Sequence, residues 1–319
     1  TEAVKAAQSG DVITLLKDVA ESVTVSKSVT FDLGGHTWTG RNDTTLIVNG
    51  ANDVAVTVKN GTMKAAAGVN PSSAGAVIHA DKCDLTIENC TFDDAVKRLV
   101  QVATTSAKIH PSVVLTIKDS SFSNATYTAV YAAADDRITG RSMKVEISNT
   151  TFKDNARGLH CSANNSASKP VFDVDVTGCT FEGSTSAGIS VTNNKNNVAN
   201  FTLNVANSNF LNGTGSAVKR AGGSDCATVS ITGGEISGNI VSYSSDSVIK
   251  VNGPFTKEGT TVSGNKAYLL MDLENADAVS IKNATITDNE STNSSDQRGA
   301  IYIDASANAA VNVSGSTFI

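Results

Sequence analysis

Charge is scarce in this sequence. Asp, Glu, Lys and Arg make up 18% of the 319 residues, with a net charge of −6. Nucleic-acid binding needs clustered Lys and Arg to meet phosphates, so a nucleic-acid partner is excluded. No apolar run approaches the length of a membrane span, so membrane insertion is not expected. Five cysteines show no CxxC and no Cys/His spacing suited to zinc, which removes a structural zinc site. GxSxG, HExxH, Walker and Rossmann glycine patterns are all absent, and with them the commonest hydrolase and nucleotide chemistries. Aromatic residues are only 5%, so where they recur they carry information.

They recur with a period. "NCTF" ends at Phe92, "DSSF" at Phe122, "NTTF" at Phe152, "GCTF" at Phe181 and "NSNF" at Phe210. The same slot holds Trp38 and Met63 upstream, and Ile236, Val262, Ile286 and Phe318 downstream, with a mean period of 28 residues. Three residues before every slot stands Gly, Asn or Asp, types that tolerate turn conformations. Seven and five residues before it stand apolar pairs such as Leu85 and Ile87, or Val145 and Ile147, separated by a polar residue. That alternation predicts a short strand with one buried face. Lys257 is the exception, a lysine in an apolar position. A second strand follows the slot, as in "LVQVA", "AVYAA" and "GLHCS". Units of this size cannot bury their apolar sides alone, but stacked units can.

The pattern resembles the right-handed parallel β-helix, the pectate-lyase-like fold. The opening "AVKAAQSGDVITLLKDVAESVTVSKSVTFDLGGHTWTG" is similar to the first coil of β-helix regions in bacterial surface proteins. The resemblance implies an all-β solenoid of about eleven coils over 1–319, with a short N-terminal capping helix within 1–16. "GSTFI" stops in mid-coil, so a fragment of a larger exported protein is expected, extracellular or attached to the cell wall, and monomeric. The cysteines read as buried free thiols: Cys90 and Cys179 share one template position three coils apart, about 14 Å, which is too far for a disulfide. The fold hosts lyases, hydrolases, esterases and adhesins, so function must be argued from a site.

Three sets of residues stand out. On the second strand, Leu159 and Cys161 are expected to face inward and His160 outward. The register then puts Tyr131 and Ser190 beside His160, with Gln101 and Lys219 one coil further on either side and Tyr302 along the same row. Arg157 enters this face from the preceding turn, and Asp135, Asp136 and Arg137 lie in the loop after Tyr131. Rings that stack on sugar faces, together with cations and amides for hydroxyls, are sugar-binding equipment. Imidazole also titrates near neutrality. On the first strand, Glu146 is expected above Asp175, with Lys144 beside Asp173. Hard oxygen ligands of this kind could hold calcium, and the other reading is that Lys144 and solvent relieve the repulsion. The third set, Asn155, Asn239, Asn265 and Asn289, reads as side-chain amides that satisfy turn backbone. The paired aspartates of "ADDR" lack the other motifs of polygalacturonase-like hydrolases.

The leading expectation is a non-catalytic, adhesin-like domain that contacts a glycan or polysaccharide, or a host surface protein. The alternative is a carbohydrate-active enzyme, a polysaccharide lyase or glycoside hydrolase, working through His160, Arg157 and Lys219. A structural spacer is the third.

Overall fold

The computed structural model describes residues 2–42, 44–50, 54–68, 75–94, 96–103, 112–134, 142–163, 171–193, 200–220, 227–242, 246–292 and 300–319. One coil shows how the sequence winds. In the strand Ser142–Ser148, Met143, Val145 and Ile147 are buried while Lys144 and Glu146 point away. Asn149 then turns the chain at φ 49°. A three-residue strand, Thr151–Lys153, buries Phe152. Asp154 turns the chain again at φ 53°, and the strand Arg157–Ala163 closes the coil. Each of the three strands pairs in parallel with its counterparts one coil away, so the molecule is a stack of three parallel sheets: a parallel β-helix.

The turn row is a consequence of sterics. All eleven positions three residues before the slot, from Gly35 to Gly315, have φ between 48° and 82°. A side chain at such an angle meets the following carbonyl, and Gly, Asn and Asp bear that cost least. A second row lies two residues after the slot. Asn124, Asp154, Gly183, Asn212, Gly238, Gly264 and Asp288 also have positive φ. The short slot strand is therefore bracketed by two left-handed corners.

Inside, the slot residues stack. Phe92, Phe122, Phe152, Phe181 and Phe210 lie ring over ring, with centroids 4.8, 5.3, 4.7 and 4.9 Å apart. Phe172 and Phe201 make a second stack beneath the first sheet. The third sheet yields room to these rings. A β-carbon on Gly158 would lie 2.5 Å from the Phe181 ring, and one on Gly188 would lie 2.6 Å from the Phe210 ring and 2.8 Å from the Ala217 carbonyl. In the coils that follow, the same register position holds Ala217, Val248 and Leu270, all buried. Gly188→Ala should therefore lower stability by about 1–3 kcal/mol through overpacking, even though losing a glycine alone favours the fold. Urea unfolding checks the sign.

Polar groups inside are tied to backbone. Ser120, Thr150 and Ser208, two residues before the slot, donate to the carbonyls of Lys118, Ser148 and Ala206. The Asn239, Asn265 and Asn289 amides form a ladder. Asn239 Nδ2 donates to Asn265 Oδ1 and Asn265 Nδ2 to Asn289 Oδ1, each at 2.9 Å. Asn155 does the same work alone, bridging the Ala125 amide and the Phe122 carbonyl. Cys83, Cys90, Cys161 and Cys179 are buried free thiols. Burial pushes Cys83 up to about 12 and Cys90 and Cys179 up to about 11.

At the N-terminal end the helix is Glu2–Ala6, with Val4 buried. The strand Val12–Thr14 already pairs with Thr30–Asp32 of the next coil, so the cap is shorter than 1–16. Among the described residues no helix is long and apolar enough to cross a membrane.

Candidate functional site

From His79 onward the outer row of the third sheet holds one polar residue per coil, where the coil before it has Ile47. Its register runs His79, Gln101, Tyr131, His160, Ser190, Lys219, Lys250, Asp272 and Tyr302. This is the row expected from the repeat, but its residues do not form one site.

The first group centres on Tyr131 and His160. The imidazole stands edge-on to the Tyr131 ring at 5.2 Å, and its Nε2 hydrogen-bonds Thr192 Oγ1 at 2.9 Å. Although it lies on the outward register, His160 is only 7% exposed. The outward position predicted an exposed residue; neighbouring rings and the Thr192 side chain cover it instead. Burial, with help from Arg157 and Arg98, lowers its pKa to about 4. It is therefore neutral at neutral pH and holds no proton to give as a general acid there. Its Nδ1 is buried and has no hydrogen-bond partner.

Two guanidiniums frame this pair. Arg157 Cζ lies 4.7 Å from the centre of the Tyr127 ring. Arg98 Cζ lies 5.4 Å from the same ring and 4.6 Å from that of Tyr131, while Arg98 Nη1 donates to Gln101 Oε1 at 3.0 Å. Lys97 Nζ is 5.8 Å from Tyr127. Among the described residues no carboxylate pairs with Arg98 or Arg157. Arg98, Lys97 and Tyr127 escaped the sequence reading. The signal was there for Arg98, which stands three residues before Gln101 as Arg157 stands three before His160. Asp135, Asp136 and Arg137 lie outside the described residues.

Lys219 belongs elsewhere. It is two rungs from His160, about 9.6 Å, with Ser190 between. Its ammonium is held by Asp246 Oδ2 at 2.6 Å. It joins a second group, in which Lys250 pairs with Asp272 at 2.9 Å and Arg220 with Glu274. So the structure brings His160 and Arg157 together and leaves Lys219 apart.

The carboxylates of the first sheet stand in the expected register, Glu146 opposite Asp175 and Lys144 opposite Asp173. Each already has partners. Lys144 Nζ reaches along its own strand to Glu146 at 2.6 Å, rather than across to Asp173. Asp175 accepts from Asn204 Nδ2 at 2.9 Å, and Asp173 accepts from the Thr202 hydroxyl. Among the described residues no group of three His, Cys, Asp or Glu could hold a metal ion.

What the strand ladder and this site define is a parallel β-helix with a cationic, aromatic patch on one sheet. No family model matches the chain, and no curated protein matches it. Among solved structures, a mutant of the PL6 family alginate lyase AlyGC aligns over 99% of this chain and 78% of its own, at 11% identity and a TM-score of 0.18. A likeness at that score adds nothing to what the ladder itself shows.

Proposed function

We propose that this chain is a non-catalytic carbohydrate-binding domain, adhesin-like, carried by a larger exported bacterial protein at the cell surface or in the wall. The observation that carries the reading is the patch of half-buried Tyr127 and Tyr131 flanked by Arg98 and Arg157, two guanidiniums with no carboxylate partner among the described residues. Tyrosine rings give flat apolar platforms for sugar faces, and guanidiniums donate to hydroxyl or acid oxygens in a fixed fork. A neutral, buried His160 supports the rings from beneath and supplies positioning rather than proton transfer. On a glycan array the wild-type chain should bind, and Tyr131→Ala should weaken that binding by up to about tenfold. No binding to any glycan by the folded protein would leave a host surface protein as partner, or a spacer.

The second reading, a carbohydrate-active enzyme, draws on the other group of the row. Asp272 is 2% exposed, with Lys250 at 2.9 Å and its Oδ1 without a hydrogen-bond partner. Release of reducing ends or unsaturated products from a polysaccharide panel, lost in Asp272→Asn, would favour it over binding alone.

A further inference from the structure

We propose that the patch of Tyr127 and Tyr131 selects an anionic glycan and holds it through an acidic group, a uronate carboxylate or a sulfate ester, at Arg98 and Arg157. The proposal rests on the carbohydrate-binding reading above and names the chemical class it selects.

Both rings already carry cations. Arg157 Cζ lies 4.7 Å from the centre of the Tyr127 ring, Arg98 Cζ 5.4 Å and Lys97 Nζ 5.8 Å. Arg98 Cζ is closer still to the Tyr131 ring, at 4.6 Å. A cation over an aromatic face is held by the quadrupole of the ring. The N–H groups of a guanidinium point outward in its own plane, so a ring contact leaves them able to donate. The tyrosines therefore position the guanidiniums, and the guanidiniums are the strongest donors the patch offers a sugar.

The rest of the row shows what this group lacks. Lys219 is matched by Asp246, Lys250 by Asp272 and Arg220 by Glu274. Among the described residues Lys97, Arg98 and Arg157 have no such carboxylate, although the chain as a whole is acidic, at −6. Like charges gathered beside apolar rings destabilise one another until an anion joins them. His160 feels the same field, for Arg157 and Arg98 help to keep its imidazole neutral. Arg98 Nε and His160 Nδ1 are buried without hydrogen-bond partners. The patch is thus short of hydrogen-bond partners as well as of negative charge.

A neutral sugar would bring hydroxyl oxygens and leave the charge uncompensated. A carboxylate or a sulfate brings acceptors and charge together, and a charged acceptor strengthens such a hydrogen bond roughly twofold. The selection needs one acidic group within reach of the patch. It sets no condition on how often acids recur along the polymer.

The test is calorimetric titration of the folded chain with four probes of similar length: an oligogalacturonate, a sulfated galactan oligosaccharide without uronate, its unsulfated counterpart, and poly-glutamate. At least one of the two acidic sugars should bind about tenfold tighter than the neutral one, and which of them does so tells carboxylate from sulfate. Arg98→Gln and Arg157→Gln should each weaken the acidic sugar about tenfold and leave the neutral one unchanged. Melting by circular dichroism shows whether each variant folds. Where one does not, the wild type carries the test: its affinity for the acidic sugar must fall as salt rises, and a flat response overturns the proposal. Equal or tighter binding of the neutral sugar overturns the anionic inference and leaves the carbohydrate-binding reading standing. Binding of poly-glutamate and of no sugar overturns both and points to an acidic protein partner.

Discussion

Phe152→Ala should cost about 3–5 kcal/mol of stability, the largest loss expected from a single truncation in this chain. The ring is fully buried between Phe122 at 5.3 Å and Phe181 at 4.7 Å. Removing it takes away its own burial, both stacking contacts and the filling of a space that the backbone cannot close. Its strand, Thr151–Lys153, is locked in ladders to Ser121–Ser123 on one side and Thr180–Glu182 on the other, so collapse is limited. Phe318 provides the contrast within the same repeat. It occupies the same slot but is 50% exposed, and it pairs on one side with Ile286. Phe318→Ala should cost less than about 1 kcal/mol, since half-exposed surface buries little. Stacked coils interact with nearest neighbours, so the damage from Phe152→Ala should stay local. Amide exchange should quicken in the coils of Phe122 and Phe181 and remain slow near Leu33 and Trp38. Equal losses for the two substitutions would mean that the aromatic row is not what holds the stack.

The winding of the chain was legible because it is set by short-range sterics. An Asn, Asp or Gly three residues before the slot can be read as a left-handed corner with no knowledge of neighbours, and every one of those positions is such a corner. Register followed from the same offsets. Tyr131 beside His160 and Glu146 beside Asp175 required only that like positions stack. The second corner row stands at an equally fixed offset, two residues after the slot, but its mix of Asn, Asp and Gly shows as a row only once the backbone angles are known.

The site was less legible, for a different reason. Long side chains choose partners by reach, not by register. Lys144 lies across from Asp173 yet bonds Glu146, and Lys219 turns to Asp246 instead of the His160 face. Exposure of His160 also depends on what covers it, and Tyr127, Thr192 and two arginines are contributed by four different coils. No alternation rule carries that information. Alternation says which way a residue points, and burial says what stands in front of it.

Lys257 shows how far one departure from the repeat can be priced in physical terms. It sits in an inward position, in register with Ile231 and Ile281, and is fully buried. Its Nζ donates to the Thr260 carbonyl at 3.1 Å. Burial lowers its pKa from 10.5 to about 8. Between those two values the unfolded chain holds a proton that the folded chain has released, so stability rises with pH from about 8 to 10.5. Below about 8 both states are protonated and the fold carries the whole cost of the buried ammonium, on the order of 3 kcal/mol. Lys257→Met keeps the length of the chain and removes the charge. The Thr260 carbonyl remains bonded to the Thr285 amide, so no acceptor is orphaned. At pH 7 the substitution should stabilise the protein by about 1–4 kcal/mol. Against pH, the variant should lose the rise between 8 and 10.5, and the two stability curves should converge at the alkaline end. Urea midpoints for both proteins from pH 6 to 10.5 measure this. A destabilised Lys257→Met at pH 7, or parallel curves across the alkaline range, would show that the ammonium is not the burden its burial implies.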